Sequence, residues 1–444
     1  MSTIDRIRVG VRTAAGRRDS RWYRVDQWPP DVLALLGAWL CTRVLYAAPI
    51  IANMAGQQYD IGSLYPTWAA ELAHGQFPWN DVTWQYPPVA GLIFLAPKAL
   101  PFLSYQTAFG LFMLVCDAAI LVMLLAAARG EGRRKLGVWL WVLGLPLLWG
   151  LPYVRFDLAV TALAVGSVLL IRRSSAGSGI LAGLGALVKA WPLMMLIGAP
   201  RGRATRRSWF VAGLTCVVLV VVMGMFFTHE LGFLSEQGAR GIEIESLPGS
   251  ALLVAHLFGY NSVVQYTYGS FQISGAYSGQ IATATLALSA VGFLWLLWWR
   301  LRARVWTPAT TADAAFTSML IFVTTSRVIS PQYFIWLLGL AATCLVFRGT
   351  SQRVPALAML PLTVFTTLDY PISWGQILQG EPAAVMVVVV RNLGLLWVTV
   401  HSAICLWRST RPDPDGTAGT LPAQREQREQ REQREQAGSR RRAL

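Results

Sequence analysis

An all-α polytopic membrane protein is the fold class this sequence predicts, and three observations carry that prediction. Hydrophobic residues make up 54% of the 444 residues and charged residues only 14%, a balance far too apolar for a soluble chain of this length. The apolar residues gather into runs long enough to cross about 30 Å of hydrocarbon at about 1.5 Å per residue. Short arginine clusters stand between those runs. The formal charge of +15 therefore reads as a set of topology signals, and nucleic acid is not expected as a partner.

The elements follow in chain order. Residues 1–30 form a basic leader containing Arg6, Arg8, Arg12, Arg17, Arg18, Arg21 and Arg24, which predicts a cytoplasmic N-terminus. The apolar run that begins near Asp31 is too long for the core of a cleavable signal. Clear spans are predicted at 31–53, 104–128, 208–228, 280–299 and 383–407. Shorter runs come in pairs, 136–153 with 156–171, 179–188 with 191–200, and 312–326 with 332–347, while 354–370 stands alone. A run of about 10 residues covers only about 15 Å, so the turn beside Lys189 is predicted to lie within the membrane or in a cavity walled by protein. Residues 87–101 read as a short re-entrant or interfacial helix. Counting each short run as a segment gives about 12 crossings, with both termini and every basic cluster in the cytoplasm. The transmembrane domain is then 31–408, and 409–444, with its "QREQREQREQREQ" repeat, is predicted to be a disordered charged cytoplasmic tail. Loops 54–86, 229–279 and 371–381 face the other side, where function is expected. The five cysteines sit singly in apolar segments, which suggests neither disulfides nor a zinc site.

The first of those loops is the richest. "IGSLYPTWAAELAHG" places Leu64, Trp68, Ala69 and Leu72 at helical spacing, predicting a short amphipathic helix on the bilayer surface. Asp60, just before it, reads either as a helix cap or as a functional acid. Tyr59, Tyr65, Trp68, Trp79, Trp84 and Tyr86 suit both interfacial anchoring and stacking on sugar rings. A second signal is charge inside apolar segments: Arg43, Asp117, Arg155, Asp157, Lys189, Arg327, Asp369 and Arg391. Such groups are costly unless they face a cavity or a partner. Internal pairing, for example Arg155 with Asp157, is one reading. The excess of cations over anions suggests the other, a pocket for phosphate at the membrane surface.

The blocks "YDIGSLYPTWAAELAHGQFPW", "QYPPVAGLIF", "RFDLAVTALAV", "ALVKAWPLMML", "RGIEIESLPGSALLVAHLFG" and "TSRVISPQYFIWLL" resemble, in this order from about Arg43 to Leu338, successive blocks of glycosyltransferase family 87 in the GT-C superfamily. The resemblance implies a GT-C-type bundle of about 10–12 transmembrane helices. It implies transfer of a sugar, mannose in the best-known members, from a polyprenyl-phosphate sugar to a lipid or glycan acceptor on the outer face of the plasma membrane. The partners would be membrane lipids, the polyprenyl-phosphate donor and a glycolipid or glycan acceptor, with no cofactor. Asp60 resembles the family's catalytic aspartate. Such chemistry needs a general base for the acceptor hydroxyl and fixed cations for the departing phosphate. Arg327, Lys189 and Arg155 are the expected phosphate ligands, with Arg240 a further candidate. Tyr65, Trp84, Tyr86, Glu243, Glu245 and Tyr333 are candidates for sugar or acceptor contact, although Glu243 and Glu245 also read as loop caps. His74 and His229 read as ordinary surface residues. No His, Asp and Glu cluster has metal-ligand spacing, so no metal site is expected.

Two other classes compete. A transporter or flippase would also explain intramembrane charges and broken helices, but the two halves of the chain show no internal repeat and the polar residues gather toward one face. A noncatalytic scaffold would leave the aspartate loop without a purpose.

Overall fold

A computed structural model describes residues 30–52, 60–234 and 240–412. The basic leader, Tyr59 and nearly all of the C-terminal tail lie outside the described residues. In chain order the helices are α1 (Pro30–Ala52), α2 (Tyr65–Ala73), α3 (Ala90–Leu95), α4 (Tyr105–Ala127), α5 (Leu136–Gly144), α6 (Leu151–Val154), α7 (Asp157–Leu170), α8 (Ser175–Val188), α9 (Arg203–Phe226) and α10 (Leu247–Leu257). A hairpin of β1 (Ser262–Thr267) and β2 (Ser270–Gly275) follows, then α11 (Ser278–Arg302), α12 (Thr310–Thr324), α13 (Tyr333–Leu345), α14 (Arg353–Thr367), α15 (Trp374–Leu378) and α16 (Pro382–Ser409).

Among the described residues, α1, α4, α9, α11 and α16 are long and apolar enough to cross a membrane, at the five places where clear spans are predicted. The protein is a multi-pass membrane protein. Helices α9 and α11 expose Val217, Val221, Leu286, Leu294 and Leu301, the apolar surface that contact with lipid tails tolerates. By contrast, α12 and α13 are buried almost all round, which places them in the centre of the bundle.

The short paired runs form helices that reach only part of the way. Helices α7 and α8 have 14 residues each, or about 21 Å, less than the hydrocarbon thickness. Helix α8 packs on α9 through Gly179 and Gly183. A Cβ at Gly179 would stand 2.4 Å from the Ser208 carbonyl oxygen, and one at Gly183 2.8 Å from that of Ala212, so glycine is what permits the backbones to meet. Lys189 ends α8 in an extended conformation, and Trp191–Gly198 returns as a 3₁₀ segment under the proline at position 192.

Two features depart from the sequence reading. Helix α2 forms in the first loop, but Leu64, Trp68, Ala69 and Leu72 are buried against protein, with Trp68 packed on Trp84, Tyr86 and Phe94. The face expected to lie on the bilayer is thus covered by the chain itself. The predominantly helical fold also contains an antiparallel hairpin, registered from Ser262↔Gly275 to Thr267↔Ser270. Its two turn residues, Tyr268 and Gly269, have φ of 50° and 73°, the sign at both positions that a type I′ turn requires.

Buried charges lock the bundle. Arg43 of α1 meets Asp117 of α4 at 2.7 Å and donates to the Val142 carbonyl at 2.8 Å. Asp117 also accepts from Trp39, Trp141 and Tyr153. Arg391 of α16 joins Asp369 to Glu245, and Asn392 donates to the Glu245 and Ser246 carbonyls, each at 3.1 Å.

Candidate active site

A cavity of about 940 Å³ lies at one end of the bundle, where the starts of α7 and α13 meet the ends of α8 and α12. Loops distant in sequence close over it: the aspartate loop, the 240–246 segment, the hairpin turn and the region of Tyr370 and Trp374. Of the residues singled out in the sequence, Asp60, Tyr86, Arg155, Lys189, Arg240, Glu243, Glu245, Arg327 and Tyr333 line this one cavity. Tyr65 and Trp84 do not. Each is 1% exposed, Tyr65 against Trp68, Phe94 and Phe109 and Trp84 against Phe77 and Phe94, so both pack behind the loop, away from the cavity lining. His74 and His229 also lie away from the cavity lining; the His229 ring stacks on Trp79.

Asp60 begins a single π turn, Asp60–Leu64, anchored by buried Ile61 and Leu64. Its Oδ2 forms an ion pair with Arg155 Nη1. Arg155 leaves α6 in an extended conformation, which turns its side chain away from Asp157 two residues on. In place of the Arg155–Asp157 pairing that is one reading of the sequence, two longer-range pairs form: Arg155 takes Asp60, while Asp157 accepts from Lys189 Nζ and Trp336 Nε1, both at 2.7 Å. The Lys189 ammonium sits 4.6 Å from the Trp336 ring centre, 4.8 Å from Phe156, 5.6 Å from Tyr333 and 5.7 Å from Tyr86, a cage of aromatic faces that favours a cation. Tyr333 stacks on Trp336 with ring centres 4.0 Å apart.

On the opposite wall, Glu243 is pinned by its backbone N–H to the Arg327 carbonyl at 3.0 Å and accepts from the Ser330 hydroxyl at 3.0 Å. Its second oxygen, Oε2, is buried with no hydrogen-bond partner. Burial pushes the Glu243 carboxyl up to about 7, against the pull of nearby Arg240 and the Ser330 hydrogen bond. Burial and the Asp60 charge likewise push the Tyr86 hydroxyl upward. Arg240 donates to Ser270 at 3.2 Å, yet its Nε is buried and unpartnered, as is Nε of Arg155. Arg327 lies within electrostatic reach of Arg240, and Lys189 within reach of both Arg155 and Arg240. Glu245 faces the cavity and also pairs with Arg391, which binds Asp369. Among the described residues no three His, Cys, Asp or Glu side chains are grouped to hold a metal ion.

Trp336, Ser330 and the hairpin turn were not singled out from the sequence. The alternation in "SVVQYTYGSFQISG", flanking a Tyr-Gly step, is the signal that could have found the hairpin. Nothing local announces Trp336, which reads as one more apolar residue of a buried helix.

The fold and the site define a polytopic membrane protein with a polar cavity at one end that holds an acid and several cations. Residues 84–331 match glycosyltransferase family 87, more than half of the chain, and the protein belongs to that family of GT-C membrane glycosyltransferases. The matched stretch includes Tyr86, Arg155, Lys189, Glu243, Glu245 and Arg327, and begins after Asp60. No curated protein and no solved structure matches the chain. Membership in a transferase family sets aside the transporter and scaffold readings.

Proposed function

We propose that the protein transfers mannose from a polyprenyl-phosphate donor to a hydroxyl of a lipid or glycan acceptor at the outer face of the plasma membrane, with Asp60 as general base. The observation that carries this reading is the meeting of Asp60 with Arg155, Lys189, Arg240 and Arg327 around one cavity, whose wall also includes apolar Leu286, Phe293 and Phe322. A donor with a charged head and an apolar tail needs both kinds of wall. The acceptor oxygen attacks the anomeric carbon and forms the new glycosidic bond. The bond from that carbon to the phosphate oxygen breaks, its electron pair leaves with polyprenyl phosphate, and the hydroxyl proton goes to Asp60. Lys189 and Arg327 offset the charge that grows on the phosphate. Arg155 pairs with Asp60, holds it in place and completes the cationic wall. Tyr86 and Tyr333 offer faces to the sugar, and the unpartnered Oε2 of Glu243 suits a sugar hydroxyl.

The test is transfer of labelled sugar by purified protein in detergent, from synthetic polyprenyl-phosphate-mannose and, in parallel, from the arabinofuranose donor, into a lipid extract. Glycolipid from the mannose donor, lost in Asp60→Asn with donor binding retained, supports the reading. Product from the arabinofuranose donor alone changes the sugar, and activity retained in Asp60→Asn but lost in Asp157→Asn moves the base. The sidedness has its own test: Trp79→Cys in a cysteine-free background reacts with an impermeant thiol reagent added to intact cells, and Arg134→Cys does not.

A further inference from the structure

A second cavity, of about 270 Å³, lies at the far end of α7 from the first. Helix α7 starts at Asp157 beside the candidate active site and ends at Leu170, and the second cavity gathers around its end, the end of α4 and the approach to α12. Four arginines line it, Arg129, Arg133, Arg172 and Arg173, and no carboxylate does. Arg133, Arg172 and Arg173 take part in none of the ion pairs among the described residues. Their backbones are nevertheless held in place. Arg133 bridges to Phe347 and its guanidinium lies over that ring at 3.8 Å, while the Arg173 N–H is bonded to the Leu170 carbonyl at 2.9 Å.

Arginines in connecting segments satisfy a topology requirement wherever they fall along the loop. That requirement does not explain why two connections some 40 residues apart in sequence bring like charges to one concavity with no acid in its lining. Burial and the charges of Arg172 and Arg173 both disfavour the charged form of Arg133, a local conflict that a bound anion would relieve. Arginine's planar fork matches phosphate oxygens in pairs. The same wall carries Met123, Ala126 and Leu169, apolar surface suited to the glycerol and first methylenes of a lipid. We propose that this second cavity is a binding site for a phosphate-bearing anion, a phospholipid headgroup or free phosphate, held by Arg133, Arg172 and Arg173 at the end of the bundle opposite the candidate active site.

Thermal melting of the full-length protein in neutral detergent tests this, with short-chain phosphatidylglycerol, short-chain phosphatidylcholine and inorganic phosphate titrated separately. A saturable rise in Tm with phosphatidylglycerol and not with phosphatidylcholine is expected, weakened on the order of a hundredfold in the Arg133→Gln, Arg172→Gln, Arg173→Gln triple variant. Saturation by inorganic phosphate at comparable affinity identifies the ligand as free phosphate. Equal response to both lipids with none to phosphate overturns the proposal, as does undiminished binding by the triple variant. Should the triple variant not fold, the exposed pair Arg172→Gln and Arg173→Gln replaces it, for which a loss of roughly twentyfold or more is expected and no loss overturns the proposal.

Discussion

Two arginine–aspartate clusters of the bundle, built from the same residue types, are bonded in opposite ways. At Arg43–Asp117 every part is used: the carboxylate accepts from one arginine, two tryptophans and a tyrosine, and both partners are at most 3% exposed. At Asp60–Arg155 the two side chains are 19% and 20% exposed, they border the large cavity, and Nε of Arg155 is left without a partner. A saturated ion pair has no capacity left for a ligand. An unsaturated one at a cavity wall keeps that capacity, and its cost is tolerable because a substrate or water can complete it. Between these two pairs the lock differs from the site in what remains unbonded at a cavity wall, which charge alone does not reveal.

The largest effect is expected at the lock. Asp117→Asn leaves the Arg43 charge buried without its carboxylate, and a loss of about 3–5 kcal/mol is expected, read as a large fall in Tm or failure to fold in detergent. The same substitution at Asp60, beside the cavity, is expected to leave Tm nearly unchanged while turnover falls at least about a hundredfold. If Asp117→Asn proved harmless and Asp60→Asn unfolded the protein, the assignment of lock and site would be reversed.

Lys189 has both kinds of surroundings, a carboxylate at 2.7 Å and a cavity, and Lys189→Gln removes its charge from both. Transfer slower by roughly ten- to a thousandfold is expected, with part of the loss in donor binding. The buried Asp157 carboxylate retains Trp336 as a donor but loses its counter-charge, so a fall in Tm is expected beside the kinetic loss. Arg327→Gln should share the kinetic loss without the effect on Asp157, and unchanged kinetics in both variants would remove them from the phosphate site.

The smallest effect concerns pH. The Glu243 carboxyl, raised to about 7 in the folded protein from an ordinary 4.5, loses its proton more readily when unfolded. Its contribution to stability is therefore fully present below about 4.5 and lost as pH rises through about 7. Melting temperature measured from pH 5 to 8 should show this slope in the wild type, and Glu243→Gln should flatten it.

Much of this protein is decided by its sequence. Five long apolar helices follow from run length, and the shortness of the pair around Lys189 follows from a rise of about 1.5 Å per residue, which requires a turn shielded by protein. The isolated charges in apolar runs were legible as groups needing partners, because hydrocarbon forbids a lone ion. Which partners they take was not legible. Arg155 and Asp157 are two residues apart and read as a pair, yet the extended backbone at Arg155 sends them to Asp60 and Lys189, 95 and 32 positions away. Tyr65 and Trp84 carry the same chemistry as Tyr86 and differ only in facing the core, a distinction made by the packing of α2 on α3. The tertiary structure alone decides these matters because ion pairing and ring exposure depend on distances between segments remote in sequence, whereas helix length and the penalty on unpaired charge are properties of each segment by itself.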